Sequence, residues 1–273
     1  MSREAEKLYS LTHIKFTPLE AYSATPLGCL FSTPFFFIAF LPESICYIIS
    51  YMNSLPTLKH EIELWKKGYI VIGVDEVGRG AFAGPLYVGG VVFLPTTNNK
   101  RITKLLSYGM NDSKKIKPRL RESLSKIIQR ESFTHYVSTI SVTRINSLGV
   151  GAATFLGIRD VVKNIRETLK GLNYPRKVFV LIDKFYVRYL HGIGLKNQQG
   201  IVGGDGISLS IAAASIIAKV ARDNHMRRLS AKFPAYGWGR NKGYGTNMHR
   251  FALQKFGATS LHRKDFIENF VWS

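Results

Sequence analysis

The residues best suited to chemistry are two adjacent carboxylates, Asp75 and Glu76, which follow the apolar run 71–74. An apolar run bounded upstream by Lys-Lys-Gly predicts a β-strand. A carboxylate at the end of a buried strand is destabilising unless it is paired or binds a metal ion. Glycines follow at positions 78 and 80, and glycine lets a backbone come close to a ligand. The pattern therefore indicates a metal site that faces a phosphate-bearing substrate.

Two further carboxylates stand at comparable positions. Asp183 ends the apolar run 178–182, a second predicted strand, and Asp205 immediately precedes a helix predicted over 208–230. Four carboxylates of this kind could hold two divalent cations, and oxygen ligands favour Mg²⁺ or Mn²⁺ over zinc. Two such ions would align the attacking water and the leaving oxygen of a phosphodiester.

The adjacency of Asp75 and Glu76 sets a geometric condition. Neighbouring residues of a regular strand point to opposite faces of the sheet. The two acids can share a site only if the strand has ended or bulged there, which Gly78 and Gly80 would permit. Taken singly, each acid is more often structural than catalytic, so the interpretation depends on the set.

The elements expected around these acids alternate between strands and helices. Apolar or alternating runs predict further strands over 87–94 and 136–142. The pair Gly89-Gly90 inside the first of these predicts close backbone packing. Helices are expected, on apolar spacing and capping residues, over 57–67, 113–130, 144–170 (divided around 149–151) and 247–255.

Charge is distributed unevenly along the 273 residues, whose net charge is +20. Residues 1–52 carry three basic and four acidic side chains, while the remaining 221 carry 35 basic and 14 acidic, a net +21. Such an excess suits a polyanionic partner such as nucleic acid, the alternative being a solvated basic surface. Cys29 and Cys46 are the only cysteines, too few for a disulfide framework or a cysteine zinc site, so we expect a cytoplasmic protein.

The N-terminal segment differs in character from the rest of the chain. Its longest charge-free part, 21–42, approaches the length of a membrane span, but Pro26, Gly28 and Pro34 interrupt it. Three alternatives stay open: a loosely structured or membrane-leaning extension, a weak anchor, or translation from an upstream start. We favour the third, because basic sequence typical of a globular domain begins just after Met52.

Five segments follow one another in the order 73–85, 112–115, 205–223, 242–246 and 262–263. Their sequences are GVDEVGRGAFAGP, DSKK, DGISLSIAAASIIAKVARD, KGYGT and HR. Together they resemble the signature of the ribonuclease HII family, the type 2 ribonucleases H. Five ordered motifs make the resemblance highly specific.

The resemblance covers about residues 55–268 and implies an α/β fold of the ribonuclease H type. That fold is a mixed five-stranded sheet flanked by helices, with a helical C-terminal part. The implied reaction hydrolyses the RNA strand of RNA/DNA hybrids and incises 5′ of single ribonucleotides in duplex DNA, leaving 3′-hydroxyl and 5′-phosphate ends. The implied ligands of two Mn²⁺ or Mg²⁺ ions are Asp75, Glu76, Asp183 and Asp205. We expect an apolar extension over 1–52 and a catalytic domain over 53–273.

The resemblance also implies a set of substrate contacts. Gly78, Arg79 and Gly80 match the family's ribonucleotide-reading loop, in which glycine lets backbone groups reach a 2′-hydroxyl. Tyr244 matches the tyrosine that packs on the sugar at the RNA–DNA junction. The remaining expected contacts to substrate or phosphate are Ser113, Lys114, Ser215, Lys219 and Arg222.

Each substrate residue also has a structural interpretation. The Gly-Arg-Gly sequence could be a plain tight turn, and Tyr244 could be a core aromatic. Lys219 could pair with Asp223 at i, i+4 on a polar helix face. We interpret Asp223 as structural, and we leave His262 and Arg263 out of the catalytic set.

Four positions depart from the common family pattern. Lys184 follows Asp183 where many bacterial members have glycine, and Gly204 stands where a lysine is frequent. Asn241 replaces a frequent histidine, and Ala81 replaces a frequent proline. None of these changes removes a carboxylate, so they bear on substrate preference and rate.

Three other interpretations compete with this one. Ribonuclease HIII shares the core, but residues 1–52 are too short and too apolar for its N-terminal domain. A binding protein with an idle metal site is opposed by the retention of all four acids. An anchored protein, tethered by 27–52, is the third. We expect a monomer that acts on hybrids and ribonucleotide-containing DNA, without stable membrane association.

Overall fold

Five strands form one mixed sheet in the computed structural model, which describes residues 55–95, 116–172 and 177–271. The strands are β1 (Tyr69–Val77), β2 (Leu86–Val92), β3 (Thr134–Ile140), β4 (Lys177–Asp183) and β5 (Gln198–Ile201). Their order across the sheet is β3-β2-β1-β4-β5. Strands β1, β2 and β3 pair antiparallel, whereas β1, β4 and β5 run parallel. The expected mixed five-stranded sheet is confirmed.

Helices cover both faces of this sheet. They are α1 (Lys59–Lys66), α2 (Pro118–Glu131), α3 (Val142–Gly171), α4 (Leu209–Lys232), α5 (Trp238–Asn241), α6 (Asn247–Phe256) and α7 (Lys264–Val271). One face packs on α3 through side chains such as Val74 and Val161. The other packs on α4, where Val91 of β2 and Ala213 of the helix belong to one buried cluster. Both faces are therefore buried, which explains why the central strands read as continuous apolar runs.

Glycines in the two central strands allow the helices to approach the sheet closely. A Cβ added at Gly73 would lie 2.2 Å from the carbonyl carbon of Ser210, and one at Gly89 would lie 2.3 Å from the Ala214 oxygen, both in α4. On the opposite face, a Cβ at Gly90 would lie 2.3 Å from a side chain of α3. The predicted close packing at the glycine pair is confirmed. Gly89 and Gly90 allow helices to approach opposite faces of the sheet.

Strand β1 continues through both of its carboxylates. In the ladder with β2, Asp75 lies opposite Gly89 and Glu76 opposite Val88, and β1 ends only at Val77. The expectation that the strand ends or bulges at the acids is wrong, because β2 extends the antiparallel pairing beyond them.

The helices agree with the predicted ones apart from their ends. Helix α2 begins at Pro118, within the predicted range 113–130. Helix α3 has a break at Gly149 (φ 75°, ψ 155°), so the predicted division around 149–151 is confirmed. Helix α4 starts after Ser208, whose side chain accepts a hydrogen bond from the Ile211 amide and caps the helix.

The C-terminal part is helical, as expected, and consists of α5, α6 and α7. Its apolar cluster includes Met226 from the end of α4 together with Tyr236, Trp238 and Leu253. Among the described residues, none of the helices has both the length and the apolar character needed to cross a membrane. The expected extension over 1–52 lies outside the described residues.

Candidate active site

Asp75 and Asp183 are brought side by side by the parallel pairing of β1 with β4. Val74 is the partner of Ile182 in this ladder, so the next residue on each strand is a carboxylate at the same edge of the sheet. Val74 and Ile182 face α3, so alternation points both acids towards α4. Both acids are buried.

The Asp75 carboxylate is held by its own chain and by helix α4. Its Oδ1 accepts a hydrogen bond of 2.7 Å from the Glu76 amide, and Ser215 of α4 also bonds it. Burial raises the pKa of Asp75 well above its usual value, and the nearby charges of Glu76, Asp183 and Asp205 raise it further. The Ser215 hydrogen bond acts in the opposite direction. Ser215 therefore contacts an acid of the cluster, whereas the sequence predicts a substrate contact.

Glu76 belongs electrostatically to the same cluster, although alternation directs it to the other face of β1. Burial raises its pKa to about 7, and Asp183 adds to this shift, while Arg79 and Lys184 lower the pKa. Its Oε2 is buried and has no hydrogen-bond partner. A buried carboxylate oxygen without a donor is an uncompensated acceptor, which a cation would satisfy.

Asp183 and Asp205 are linked through the turn that precedes α4. Asp205 lies in the short 3₁₀ turn Gly204–Gly206, and the Gly204 amide donates a 2.8 Å hydrogen bond to Asp183 Oδ1. Gly203 has a positive φ of 67°, which directs the chain into this turn. The end of β4 and the start of α4 are thereby fixed to each other.

The four acids fit a divalent metal in their chemistry. All offer oxygen ligands, which suit Mg²⁺ and Mn²⁺. The unpartnered Glu76 oxygen and the raised pKa values of Asp75 and Glu76 show a cluster short of positive charge. Within the described ranges, no three acidic, imidazole or thiolate groups are arranged so as to enclose an ion.

The segment after the two acids is shaped by a buried arginine, Arg263. Its guanidinium donates hydrogen bonds to the main-chain oxygens of Gly78 (2.7 Å), Arg79 (2.9 Å) and Gly84 (2.8 Å). Burial lowers the Arg263 pKa to about 9, and Arg222 contributes to this shift. In the sequence, Arg263 stands out only as part of the two-residue motif His262-Arg263. Its role depends on contacts between distant parts of the chain, and we find no local signal for it.

Arg222 also holds main chain, which corrects its expected role as a phosphate contact. The side chain is fully buried and donates to the oxygens of Pro85 (3.0 Å), Lys242 (2.9 Å) and Ala83 (3.2 Å). Every nitrogen of the guanidinium is engaged with a carbonyl, because the 83–85 segment covers this part of α4. Arg222 therefore positions two loops and does not face solvent.

Lys219 and Tyr244 lie beside this buried arginine. The Lys219 ammonium is 2.8 Å from Asp223 Oδ1, and Asp223 Oδ2 is 3.3 Å from Arg121, so the i, i+4 pair is present. Asp223 has structural partners, in agreement with its interpretation. The half-buried Tyr244 ring lies 5.9 Å from the Lys219 ammonium and 5.3 Å from the Arg222 guanidinium. Two cations therefore stand against one aromatic ring.

A buried histidine pair supports the main chain of Tyr244. His249 Nδ1 lies 3.0 Å from the Tyr244 oxygen, and its Nε2 lies 3.0 Å from Trp238 Nε1 and 3.1 Å from His262 Nε2. His262 Nδ1 accepts from the Thr259 amide. Two neutral rings fit these contacts, with the proton on Nδ1 of His249 and on Nε2 of His262. The single lone pair of His249 Nε2 is then shared between the N–H groups of Trp238 and His262. Burial lowers the pKa of both, that of His262 to about 4.

Two of the expected substrate residues, Ser113 and Lys114, lie outside the described residues. Of the others, Ser215 bonds Asp75, and Arg79 lowers the pKa of Glu76. Gly78, Arg79 and Gly80 follow β1, and the Arg79 guanidinium lies 4.5 Å from the centre of the Phe185 ring, on the segment that follows β4. The loop after the first acidic strand thus contacts the loop after the second.

Comparison with known proteins gives a consistent result. A sequence model of the family described as ribonuclease HII matches residues 72–270. The chain is 37% identical to the ribonuclease HII of Caldicellulosiruptor bescii over 212 residues, 77% of this chain and 93% of that protein. It is 38% identical to the ribonuclease HII of Ehrlichia ruminantium over 220 residues, 78% of this chain and 91% of that protein. The ribonuclease HII of Archaeoglobus fulgidus, solved in complex with PCNA, is similar in structure, with a TM-score of 0.58 and 25% identity over 72% of this chain and 94% of that one.

Proposed function

Because this chain belongs to the ribonuclease HII family, we propose that it hydrolyses RNA paired with DNA and incises 5′ of single ribonucleotides in duplex DNA. The observation that supports this function is the grouping of three buried carboxylates, Asp75, Asp183 and Asp205, with the partly buried Glu76, directly before a Gly-Arg-Gly loop. Family membership makes the chain a hydrolytic nuclease of the ribonuclease H type. The single-ribonucleotide substrate and the metal-dependent mechanism are the proposed refinements.

The metal ligands in this proposal are Asp75, Glu76, Asp183 and Asp205. Two Mn²⁺ or Mg²⁺ ions, when bound there, supply an activated water and neutralise the charge that develops on the phosphate. Main-chain amides orient two of the ligands, since Glu76 donates to Asp75 and Gly204 donates to Asp183. Such outer hydrogen bonds hold ligand oxygens in place before an ion arrives. The fold thus holds mutually repelling carboxylates close together, and the pKa values of Asp75 and Glu76 are raised as a result.

Recognition of the ribonucleotide is assigned to residues 78–80. Their carbonyls are partly occupied by Arg263, which leaves the glycine-flanked backbone in a fixed conformation. A fixed backbone that carries no Cβ at Gly78 or Gly80 can approach a sugar closely enough to bond its 2′-hydroxyl. That hydroxyl is the group that distinguishes RNA from DNA.

Binding of the nucleic acid is assigned to the basic surface and to Tyr244. The residues after 52 carry a net charge of +21, which favours a polyanion. Tyr244 is half-buried beside two cations and can pack on a sugar, while Lys219, Ser113 and Lys114 remain proposed contacts. We propose that the protein works as a monomer in the cytoplasm, without stable membrane association.

A cleavage assay tests the function directly. The purified chain is incubated, with Mg²⁺ or Mn²⁺, with a duplex containing one ribonucleotide and with an all-DNA duplex. We expect incision 5′ of the ribonucleotide only, abolished in Asp75→Asn and retained in Glu167→Gln, which removes an exposed carboxylate of α3. Binding without cleavage under either metal would refute the enzymatic function and leave a nucleic-acid-binding protein.

A further inference from the structure

Lys184, the residue that follows Asp183, has an unusual backbone conformation. Among the described residues, Lys184 (φ 70°) and Lys242 (φ 53°) are the non-glycine residues with a positive φ. The Lys184 amide donates to the Ile201 oxygen (2.9 Å), and the Phe185 amide donates to the Asp183 oxygen (3.0 Å). The left-handed region is unfavourable for a side chain with a Cβ, and glycine adopts it freely. A lysine kept in this conformation points to a contribution from its side chain.

That side chain places a positive charge against the acidic cluster. Its ammonium lies 3.5 Å from Asp183 Oδ2, with the lysine side chain half exposed and the aspartate side chain 6% exposed. The charge also reaches Glu76, whose pKa it lowers. The other cation that lowers the Glu76 pKa is Arg79, whose guanidinium lies over the Phe185 ring.

We propose that Lys184 is a built-in counter-ion of the acidic cluster, one that weakens the binding of a divalent metal at Asp183 and turns into solvent when an ion binds. This inference rests on the proposed function, because it takes Asp183 as a metal ligand. A metal bound to an aspartate oxygen lies about 2 Å from it. The ammonium beside that oxygen would then lie within a few ångström of a doubly charged ion. Because the lysine side chain is half exposed, it can leave without breaking the fold.

The consequence is a metal affinity set by this one side chain. Repulsion between a fixed ammonium and a divalent ion about 4 Å apart in a water-like medium corresponds to about a thirtyfold change in affinity. Because the half-exposed lysine side chain turns into solvent when the ion binds, we expect a smaller change, about threefold to tenfold. It is screened by salt, because the Debye length falls to about 3 Å at about 1 M ionic strength. Lys184 would thereby favour release of the metal from the free enzyme and make tight binding depend on other charges, such as those of the substrate phosphates.

Mn²⁺ titration of the full chain without substrate tests this. Free Mn²⁺ is followed by its electron paramagnetic resonance signal at low salt. We expect Lys184→Gln to bind Mn²⁺ about threefold to tenfold more tightly than the unaltered chain, and Lys184→Arg to bind within about twofold of it. Lys177→Gln is the matched control, because it removes the same charge about 20 Å away at the other end of β4.

A second variant separates charge from backbone strain. Lys184→Gly removes the ammonium and also suits the positive φ, so it is expected to be more stable and to bind Mn²⁺ as tightly as Lys184→Gln. Both gains in affinity should shrink at about 1 M salt. Equal affinities for the Gln, Arg and unaltered chains, or no Mn²⁺ binding by any of them, would overturn the inference. Failure of the proposed function appears differently, as absence of incision by a chain that does bind Mn²⁺.

Discussion

The Arg263 guanidinium donates a 2.7 Å hydrogen bond to the main-chain oxygen of Gly78, which lies 185 residues earlier in the chain. Further bonds reach Arg79 and Gly84, so one buried side chain immediately before α7 fixes the loop that follows the acidic strand. No carboxylate is among these partners. A guanidinium can bind three main-chain oxygens at once because it presents five donors in a planar fork.

Replacement of this arginine by lysine is expected to disturb the loop while keeping the charge. Arg263→Lys cannot reach three carbonyls with one ammonium, which leaves buried acceptors unpaired. We expect the free energy of unfolding to fall by about 1–3 kcal/mol. We also expect kcat/KM on the single-ribonucleotide duplex to fall about tenfold or more, since misplacement of a positioning loop is costly. Urea unfolding and steady-state kinetics measure the two effects.

Arg240→Lys is the control for this change, because Arg240 is exposed on α5. Its effect on unfolding should stay within about 0.5 kcal/mol. If Arg263→Lys matched this control in both stability and kinetics, the loop would not depend on Arg263.

Gly80→Ala tests whether the loop approaches the substrate. A Cβ added at Gly80 has no neighbouring atom within 4 Å, and its φ is not in the left-handed region. We therefore expect stability to change by less than about 0.5 kcal/mol. The added methyl group would face the sugar, so kcat/KM should fall about tenfold to a hundredfold. Melting curves and cleavage kinetics on the same preparation give both values.

Gly78→Ala provides the contrast within the same loop. Gly78 has a φ of 92°, and an added Cβ would lie 2.1 Å from Arg222 Nε. We expect this variant to lose about 2 kcal/mol or more of stability as well as activity. Normal cleavage by Gly80→Ala would show that the loop does not approach the sugar.

The strands and the acids at their ends could be predicted because their signals are local. Strand β4 spans 177–183, as the apolar run ending in Asp183 predicted. Helix α4 begins directly after the predicted cap Ser208. Parallel pairing of β1 with β4 then brings the carboxylates together without further information.

The roles of the buried polar residues could not be predicted in the same way. Helical spacing puts Ser215, Lys219 and Arg222 on one face of α4, but spacing does not say what covers that face. Residues 83–85 cover Arg222, and the Ser215 side chain is hydrogen-bonded to Asp75. Both outcomes depend on contacts between residues more than 100 positions apart, which a periodic pattern does not contain.

Glu76 is expected to destabilise the metal-free protein at neutral pH. Its pKa is raised from 4.5 to about 7, so the folded state holds the proton more tightly than the unfolded state. Its unfavourable contribution therefore grows as pH rises from about 4.5 to about 7 and is complete above that. In EDTA at pH 8, Glu76→Gln should be more stable by up to about 3 kcal/mol, with no gain below about pH 4.5.

Urea unfolding across this pH range measures the effect. Glu167→Gln serves as the control, because its carboxylate is exposed and should give a small difference at every pH. Cleavage should be lost in Glu76→Gln and kept in the control. A Glu76→Gln variant less stable than the unaltered chain at pH 8 would contradict the interpretation of Glu76 as an uncompensated carboxylate.

The buried histidine pair predicts an acid-sensitive C-terminal part. The pKa of His262 is lowered from 6.5 to about 4 by burial and by His249. The unfolded state therefore binds a proton first, so the stabilising contribution of the neutral ring is complete above about pH 6.5 and is lost as pH falls towards 4. The loss can reach about 3 kcal/mol. Protonation of His262 would occur at Nδ1 and would break the hydrogen bond that this atom accepts from the Thr259 amide.

His262→Gln isolates this contribution, because the variant keeps a polar side chain that does not titrate. Urea unfolding at pH 7.5, 6 and 5 should show the unaltered chain more stable than the variant at pH 7.5, with a difference that narrows by about 1–3 kcal/mol towards pH 5. Trends shared by both proteins, such as that from Glu76, cancel in this difference. His191→Gln, which replaces an exposed histidine, is the control variant. A His262→Gln difference that stays constant from pH 7.5 to 5 would mean that the His262 ring is not held neutral by its buried site.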